Sequence, residues 1–391
     1  MRGYQKKRRS WRLAVVGPVV GCGLAVSGCV PPGGGGPTSP TDPLIAGFGV
    51  SAGSAPAPAL LAYSWNVWDP NGDSLTCGID PDGDGDDDIV VESCQGEHSR
   101  NFAFATPGPH VARLTVTDGN STPVVATVAL TITTGVSEPF DIDLRPVSPL
   151  SPEHQSVFDA AVARWEQLVV RGVGASAVDL PADDCLDGAA PFSGTIDDLM
   201  IEVVVRPIDG PGHALGTAGP CLTSSSDQLS RVGVMEFDTA DVATMVATGT
   251  FDDVVLHEMG HVLGIGTLWN WHRSFLWGAG TDDPLFRGPR GAAAWSALGG
   301  NGGVPVESAG AAGTADAHWR ESVFDDELMT GFIDAAGNSL SALSVASLAD
   351  LGYQVSLDAA DPYTLPSPFA RRSVRAEQPA GVMVRPELRS S

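Results

Sequence analysis

The stretch His257-Glu258-Met259-Gly260-His261 constrains this chain more than any other. Two histidines at i and i+4 on an α-helix stand one above the other, about 6 Å apart at Cβ. That spacing lets both imidazoles reach one tetrahedral zinc ion. The glutamate between them lies beside the metal and can take a proton from an attacking water. Val254, Val255, Val262 and Leu263 predict a buried helix across Phe251 to Ile265, the context the pattern requires. The bland alternative is a core helix carrying two unrelated histidines. A catalytic centre needs a third ligand. From the residues alone His213, His272, His318, Glu307, Glu321 and Glu327 compete for that place.

The chain has 391 residues, enough for two domains with substantial cores. Its 47 acidic and 22 basic residues give a net charge of −25. Both lysines, Lys6 and Lys7, stand near the start with Arg2, Arg8, Arg9 and Arg12, and the first acid is Asp42. Without residues 1–28, 16 basic residues face all 47 acids, for a net charge of −31. So acidic a chain, without lysine, excludes a basic groove for nucleic acid.

Lys6-Lys7-Arg8-Arg9 precedes an apolar stretch from Leu13 to Val26, the order of an export signal. Gly17, Pro18, Gly21 and Gly23 break that stretch, which argues against a permanent membrane span. Val26-Ser27-Gly28-Cys29 resembles a bacterial lipobox. The resemblance implies cleavage before Cys29 and a lipid anchor to the membrane there, with the Gly/Pro run up to residue 43 as a tether. A plain secretory signal is the alternative, and Arg8-Arg9 hints at twin-arginine export. In either case the chain is exported, to the cell envelope or beyond. Cys77, Cys94, Cys185 and Cys221 are then disulfide candidates. Of three possible pairings the economical one is Cys77–Cys94 with Cys185–Cys221. Zinc binding by these four lacks any C-x-x-C spacing.

Residues 44–134 carry a β pattern. Val111 to Thr117 alternates, as does Val124 to Thr133, with Val124, Ala126, Val128, Leu130 and Ile132 on one face and Asp118-Gly119-Asn120 as the turn. Short alternating strands between turn signals predict a small β-sandwich. Tyr63-Ser64-Trp65 before Asp69-Pro70-Asn71-Gly72-Asp73, and Thr106-Pro107-Gly108 before Leu114-Thr115-Val116-Thr117-Asp118-Gly119, resemble a PKD-type immunoglobulin-like domain. That resemblance implies a fold and no chemistry. Asp80, Asp82 and Asp84, followed by Gly85, match the first half of a calcium loop. The second half departs from it, with Val91 at position twelve. The alternative is a solvated acidic loop.

A second unit covers 139–363. Ser151-Pro152-Glu153 is a helix start, and Phe158, Ala161, Val162, Trp165 and Val169 follow at helical spacing. Leu199 to Val205 and Val232 to Phe237 read as strands, and Leu340 to Leu351 as a helix. The Gly-rich region from Gly278 to Gly313 gives no readable pattern. Residues 364–391, with Arg371, Arg372, Arg375, Arg385 and Arg389 among Pro and Ser, read as a loose tail.

This unit resembles the leishmanolysin family of metzincin peptidases. His257 through Trp269 matches its helix and turn, including Gly264 three residues after His261. Thr267 stands where other metzincins place the third histidine, whereas leishmanolysins place it after a long insertion. Gly313-Thr314-Ala315-Asp316-Ala317-His318-Trp319 matches that later segment, and Glu327-Leu328-Met329-Thr330-Gly331 matches the methionine turn. The resemblance implies His257, His261 and His318 as zinc ligands, Glu258 as general base, and Met329 beneath the metal without binding it. It also implies that Gly216-Thr217-Ala218-Gly219-Pro220 and Val232 to Asp238 form strands, one of them an edge that pairs with extended peptide substrates.

The expected architecture is multidomain: an all-β immunoglobulin-like sandwich, then an α+β metzincin-type zinc peptidase. The expected activity is zinc-dependent endopeptidase action on proteins or peptides by a monomer. Two alternatives stand beside it. One is a surface adhesion protein with a degenerate zinc domain. The other, less favoured, is a zymogen held by a cysteine on the metal.

Overall fold

The computed structural model describes residues 42–57, 59–135, 138–212, 214–270, 275–310, 313–333, 337–366 and 389–390. The expected export signal at 1–28, Cys29, nearly all of the tether and most of the 364–391 segment lie outside the described residues, as do His213 and His272. No helix among the described residues is long and apolar enough to cross a membrane.

Eight strands come first: β1 (Leu44–Val50), β2 (Ser54–Pro56), β3 (Ala59–Trp68), β4 (Thr76–Asp80), β5 (Ile89–Glu92), β6 (Gly96–Phe104), β7 (Gly108–Thr117) and β8 (Val124–Thr133). They form two sheets, β1-β3-β6 and β2-β8-β7-β4-β5. Alternation sorts their faces. In β3, Leu61, Tyr63, Trp65 and Val67 are buried while Ser64 is exposed. Trp65 and Val67 share a core with Cys77, Ile79, Leu114 and Val116 of the other sheet, and Tyr63 shares one with Ala112, Leu130 and Ile132. The β7–β8 hairpin turns where the sequence reading placed it. Asp118 Oδ1 accepts the N–H groups of Asn120 and Ser121, both at 2.8 Å, and Gly119 sits at φ +76°.

The acidic loop differs from the expected calcium pattern. Asp80 is buried, and its two oxygens accept the N–H groups of Gly83 and Gly85 at 2.7 and 3.1 Å. Gly83 and Gly85 adopt left-handed φ, which turns Asp84 out to solvent and brings Asp88 back toward Asp80 and Asp82. Burial and mutual repulsion push the Asp88 carboxyl up to about 8. Asp80, Asp82 and Asp88, rather than Asp84, bring carboxylate oxygens within 4.8 Å of one another, a group that could hold a metal ion, and nothing marks that ion as calcium.

The remainder runs β9 (Ile142–Pro146), α1 (Pro152–Leu168), β10 (Ser176–Leu180), β11 (Phe192–Ile196), β12 (Leu199–Arg206), β13 (Gly216–Thr223), β14 (Ser230–Asp238), α2 (Thr239–Thr248), α3 (Phe251–Leu263), β15 (Leu276–Trp277), β16 (Leu285–Phe286), α4 (Pro289–Ala297), β17 (Val304–Pro305), α5 (Glu321–Phe324), α6 (Ala342–Leu351) and β18 (Arg389–Ser390). One sheet has the order β18-β13-β14-β12-β9. Strands β9, β12 and β14 are parallel, and β13 runs antiparallel to β14.

Strand β12 is apolar because both its faces are covered. Leu199, Ile201 and Val203 pack with Phe158 and Trp165 of α1 and Val255, Met259 and Val262 of α3. Met200 and Val204 pack on the other side with Val178, Leu180 and Ile196 of the β10–β11 hairpin. Helix α1 starts as expected, with Ser151 accepting the N–H of His154 at 3.1 Å and Pro152 in the first turn. Cys77–Cys94 and Cys185–Cys221 are the disulfides, which is the economical pairing. The Gly-rich region holds β16, α4 and β17, and β16 pairs with β17 and with β15 just before the region. Arg389 and Ser390, expected in a loose tail, pair with Leu222 and Thr223.

Candidate metal centre

Helix α3 carries both motif histidines to the core. Asp252 and Asp253 in its first turn complement the positive end of the helix dipole. Its other end stops at Gly264, whose φ of +120° is a left-handed cap, with the N–H of Ile265 bonded back to Gly260 O at 3.0 Å. The chain then reverses so that Ile265 O accepts from Nδ1 of His261 at 2.8 Å. Gly266 follows at φ +74°, and a β-carbon there would lie 2.0 Å from Ala317 O. The turn after the helix thus rests directly on the backbone leading into His318. Thr267, in the position of an expected third histidine, instead donates its hydroxyl to His261 O at 2.7 Å.

His257, His261 and His318 converge. Their Nε2 atoms are 3.0 Å (257–261), 3.1 Å (257–318) and 2.9 Å (261–318) apart, and all three residues are fully buried. Each Nδ1 faces a backbone carbonyl: Leu328 O at 2.7 Å, Ile265 O at 2.8 Å and Thr314 O at 3.0 Å. A carbonyl only accepts, so each Nδ1 carries the proton and each Nε2 presents a lone pair. Three lone pairs meeting with no proton among them repel unless a cation stands between them. Burial holds the rings neutral, with His257 lowered to about 3, His318 to about 4 and His261 well below its ordinary value. Neighbouring imidazoles add to this for His257 and His261. For zinc–nitrogen bonds of about 2.0–2.1 Å, tetrahedral coordination sets neighbouring nitrogens about 3.3 Å apart. The donor set, its protonation and its spacing all fit zinc.

Glu258 is buried beside this cluster, and neither carboxylate oxygen has a hydrogen-bond partner. Burial pushes its carboxyl up to about 8. Gly216, first residue of β13, packs against it: a β-carbon at 216 would sit 3.3 Å from Glu258 Cγ. On the outer side of β13, among the described residues, only Leu222 and Thr223 have a strand partner. The unpaired part of that edge begins at Glu258.

Met329 is buried against α3, and Leu328 next to it supplies the acceptor for His257. Of the other candidate third ligands, Glu307 spends its oxygens on the N–H groups of Ser308, Ala309 and Glu321. Glu327 spends its own on Met329, Ser341 and Ser344. Neither they nor Glu321 join the cluster that could hold a metal. The three carbonyl acceptors have no signature in sequence, because backbone oxygens occur at every position.

A family model described as Leishmanolysin, Peptidase_M8, matches residues 300–364, a stretch that includes His318 and Met329. No curated protein matches the chain. Among solved structures, the chain is similar to the PKD domain of an M14-like peptidase from a Thermoplasmatales archaeon. That match has 23% identity, covers 24% of this chain and 97% of that one, and has a TM-score of 0.20. It is also similar to the PKD1 domain of Vibrio anguillarum Epp, with 16% identity, coverage of 24% and 95%, and a TM-score of 0.18. The short family match relates the chain to metallopeptidases.

Proposed function

We propose that this chain is a zinc-dependent endopeptidase of the leishmanolysin type, with a metzincin fold over 139–363 preceded by a PKD-like sandwich. The observation that carries the reading is the convergence of the Nε2 atoms of His257, His261 and His318, each ring with a backbone carbonyl at its Nδ1, beside a buried glutamate with free oxygens.

When bound, zinc supplies a Lewis acid that polarises a carbonyl and makes water more acidic. His257, His261 and His318 would hold it through their Nε2 atoms. Glu258 takes a proton from the attacking water and later gives it to the leaving amine. Burial raises its affinity for a proton, and no competing hydrogen bond holds its oxygens. Outer main-chain groups of β13 from Gly216 to Pro220 pair with an extended peptide and lay its scissile bond next to Glu258. Protein and peptide substrates fit that mode of binding.

The same proposal takes the chain as exported, lipid-anchored at Cys29 and acting as a monomer outside the cytoplasm. Cleavage of casein with and without a metal chelator tests the enzymatic reading. Cleavage that the chelator abolishes and zinc restores is expected. No cleavage by fully zinc-loaded protein favours the adhesion alternative. Substitution Cys29→Ser tests the anchor: the chain is expected to leave the membrane fraction.

A further inference from the structure

We propose that Glu327 is a positioning residue for the metal centre, acting through the methionine turn on two of the three histidines; this rests on the zinc reading above. Glu327 is fully buried, and four groups donate to it. Oε2 accepts the N–H of Met329 at 2.6 Å. Oε1 accepts the hydroxyls of Ser341 and Ser344, both at 2.6 Å, and the N–H of Ser341 at 3.2 Å.

These bonds pin a segment whose backbone touches both ligand-bearing regions. Leu328 O orients His257 through Nδ1 at 2.7 Å. Met329 O accepts the N–H of Trp319, the residue after His318, at 3.0 Å. Ser344 also accepts the indole N–H of Trp319 at 2.8 Å. The carboxyl group of Glu327 therefore joins the turn that aims His257 to the strand-like segment that carries His318. Partners that orient metal ligands from outside the coordination sphere are worth about 10–100-fold in metal affinity.

The need is for a carboxyl group in particular. Met329 and Ser341 each present a backbone N–H, and the two fall on different oxygens. A glutamine offers one oxygen and one amino group. One of those two backbone donors would then face another donor, and its buried position leaves no water to replace the bond. Serine hydroxyls can rotate to accommodate an amide; backbone N–H groups cannot.

The test compares the full wild-type chain with Glu327→Gln, using zinc itself as the probe. Near-UV circular dichroism monitors the fold, competition with a chromophoric chelator gives the zinc Kd, and cobalt substitution gives the d–d spectrum at saturation. A natively folded variant with a Kd raised by about 10–100-fold and a shifted cobalt band is expected. A folded variant with wild-type Kd and wild-type cobalt band overturns the proposal while the zinc reading stands. Should wild type bind no zinc, the zinc reading fails and takes the proposal with it. If Glu327→Gln does not fold, Glu327→Asp keeps a carboxyl but draws it back by one methylene from the N–H groups of Met329 and Ser341. A weakened Kd with a shifted cobalt band supports the positioning role there too, and unchanged values reject it.

Discussion

Gly260 lies so close to the thioether of Met329 that a β-carbon at position 260 would stand 2.9 Å from Sδ and 3.1 Å from Cε. The same β-carbon would meet the Trp165 ring at 3.1 Å. Helix α3 thus needs glycine between its two histidines for a packing reason, despite the helical cost of about 1 kcal/mol. Substitution Gly260→Ala is expected to lower stability by about 1–3 kcal/mol through overpacking. The unfolding midpoint in denaturant checks it, and an unchanged or raised midpoint contradicts the contact.

Removal of the proton acceptor separates metal binding from chemistry. Glu258→Gln is expected to retain zinc and to lose about 10²–10⁴-fold in casein cleavage. Metal analysis and a cleavage assay on the same preparation decide it. Full activity contradicts the general-base role.

Glu202 in the middle of β12 gives a pH signature of the fold. It is buried, its Oε2 has no partner, and burial pushes its carboxyl up from 4.5 to about 7, against the opposing pull of Arg145. The folded chain therefore holds a proton that the unfolded chain releases. Its stabilising share is complete below about 4.5 and is lost as pH rises through about 7. Glu202→Gln is expected to be more stable than wild type by about 3 kcal/mol at pH 8 and equal to it near pH 4. Denaturant melts at the two pH values check this, and an equal difference at both contradicts it.

The Cys185–Cys221 bridge fastens β13 to the loop before β11 across the smaller core. Replacing both cysteines by alanine is expected to cost about 2–5 kcal/mol. A thermal melt checks the direction, and an unchanged midpoint contradicts it.

Much of the centre was legible because side-chain spacing carries it. The i, i+4 histidines and the flanking valines specify a buried helix, and helix α3 has that form. The third histidine of the cluster was not legible by spacing, because 57 positions separate His261 from His318 and only tertiary contacts bridge them. Family resemblance supplied it. The carbonyl acceptors Leu328, Ile265 and Thr314 were invisible, since no side chain marks them. In the acidic loop the alternation pointed to Asp84, whereas the chain, with left-handed glycines at 83 and 85, leaves Asp84 exposed and groups Asp88 with Asp80 and Asp82. The Gly-rich region concealed two-residue strands too short to show a period.

Metal analysis of the purified full chain, wild type against His318→Ala, tests the central claim most directly. About one zinc ion per wild-type chain, most of it lost in the natively folded variant, is the expected result. A folded His318→Ala chain that keeps its zinc at wild-type stoichiometry would contradict the three-histidine centre.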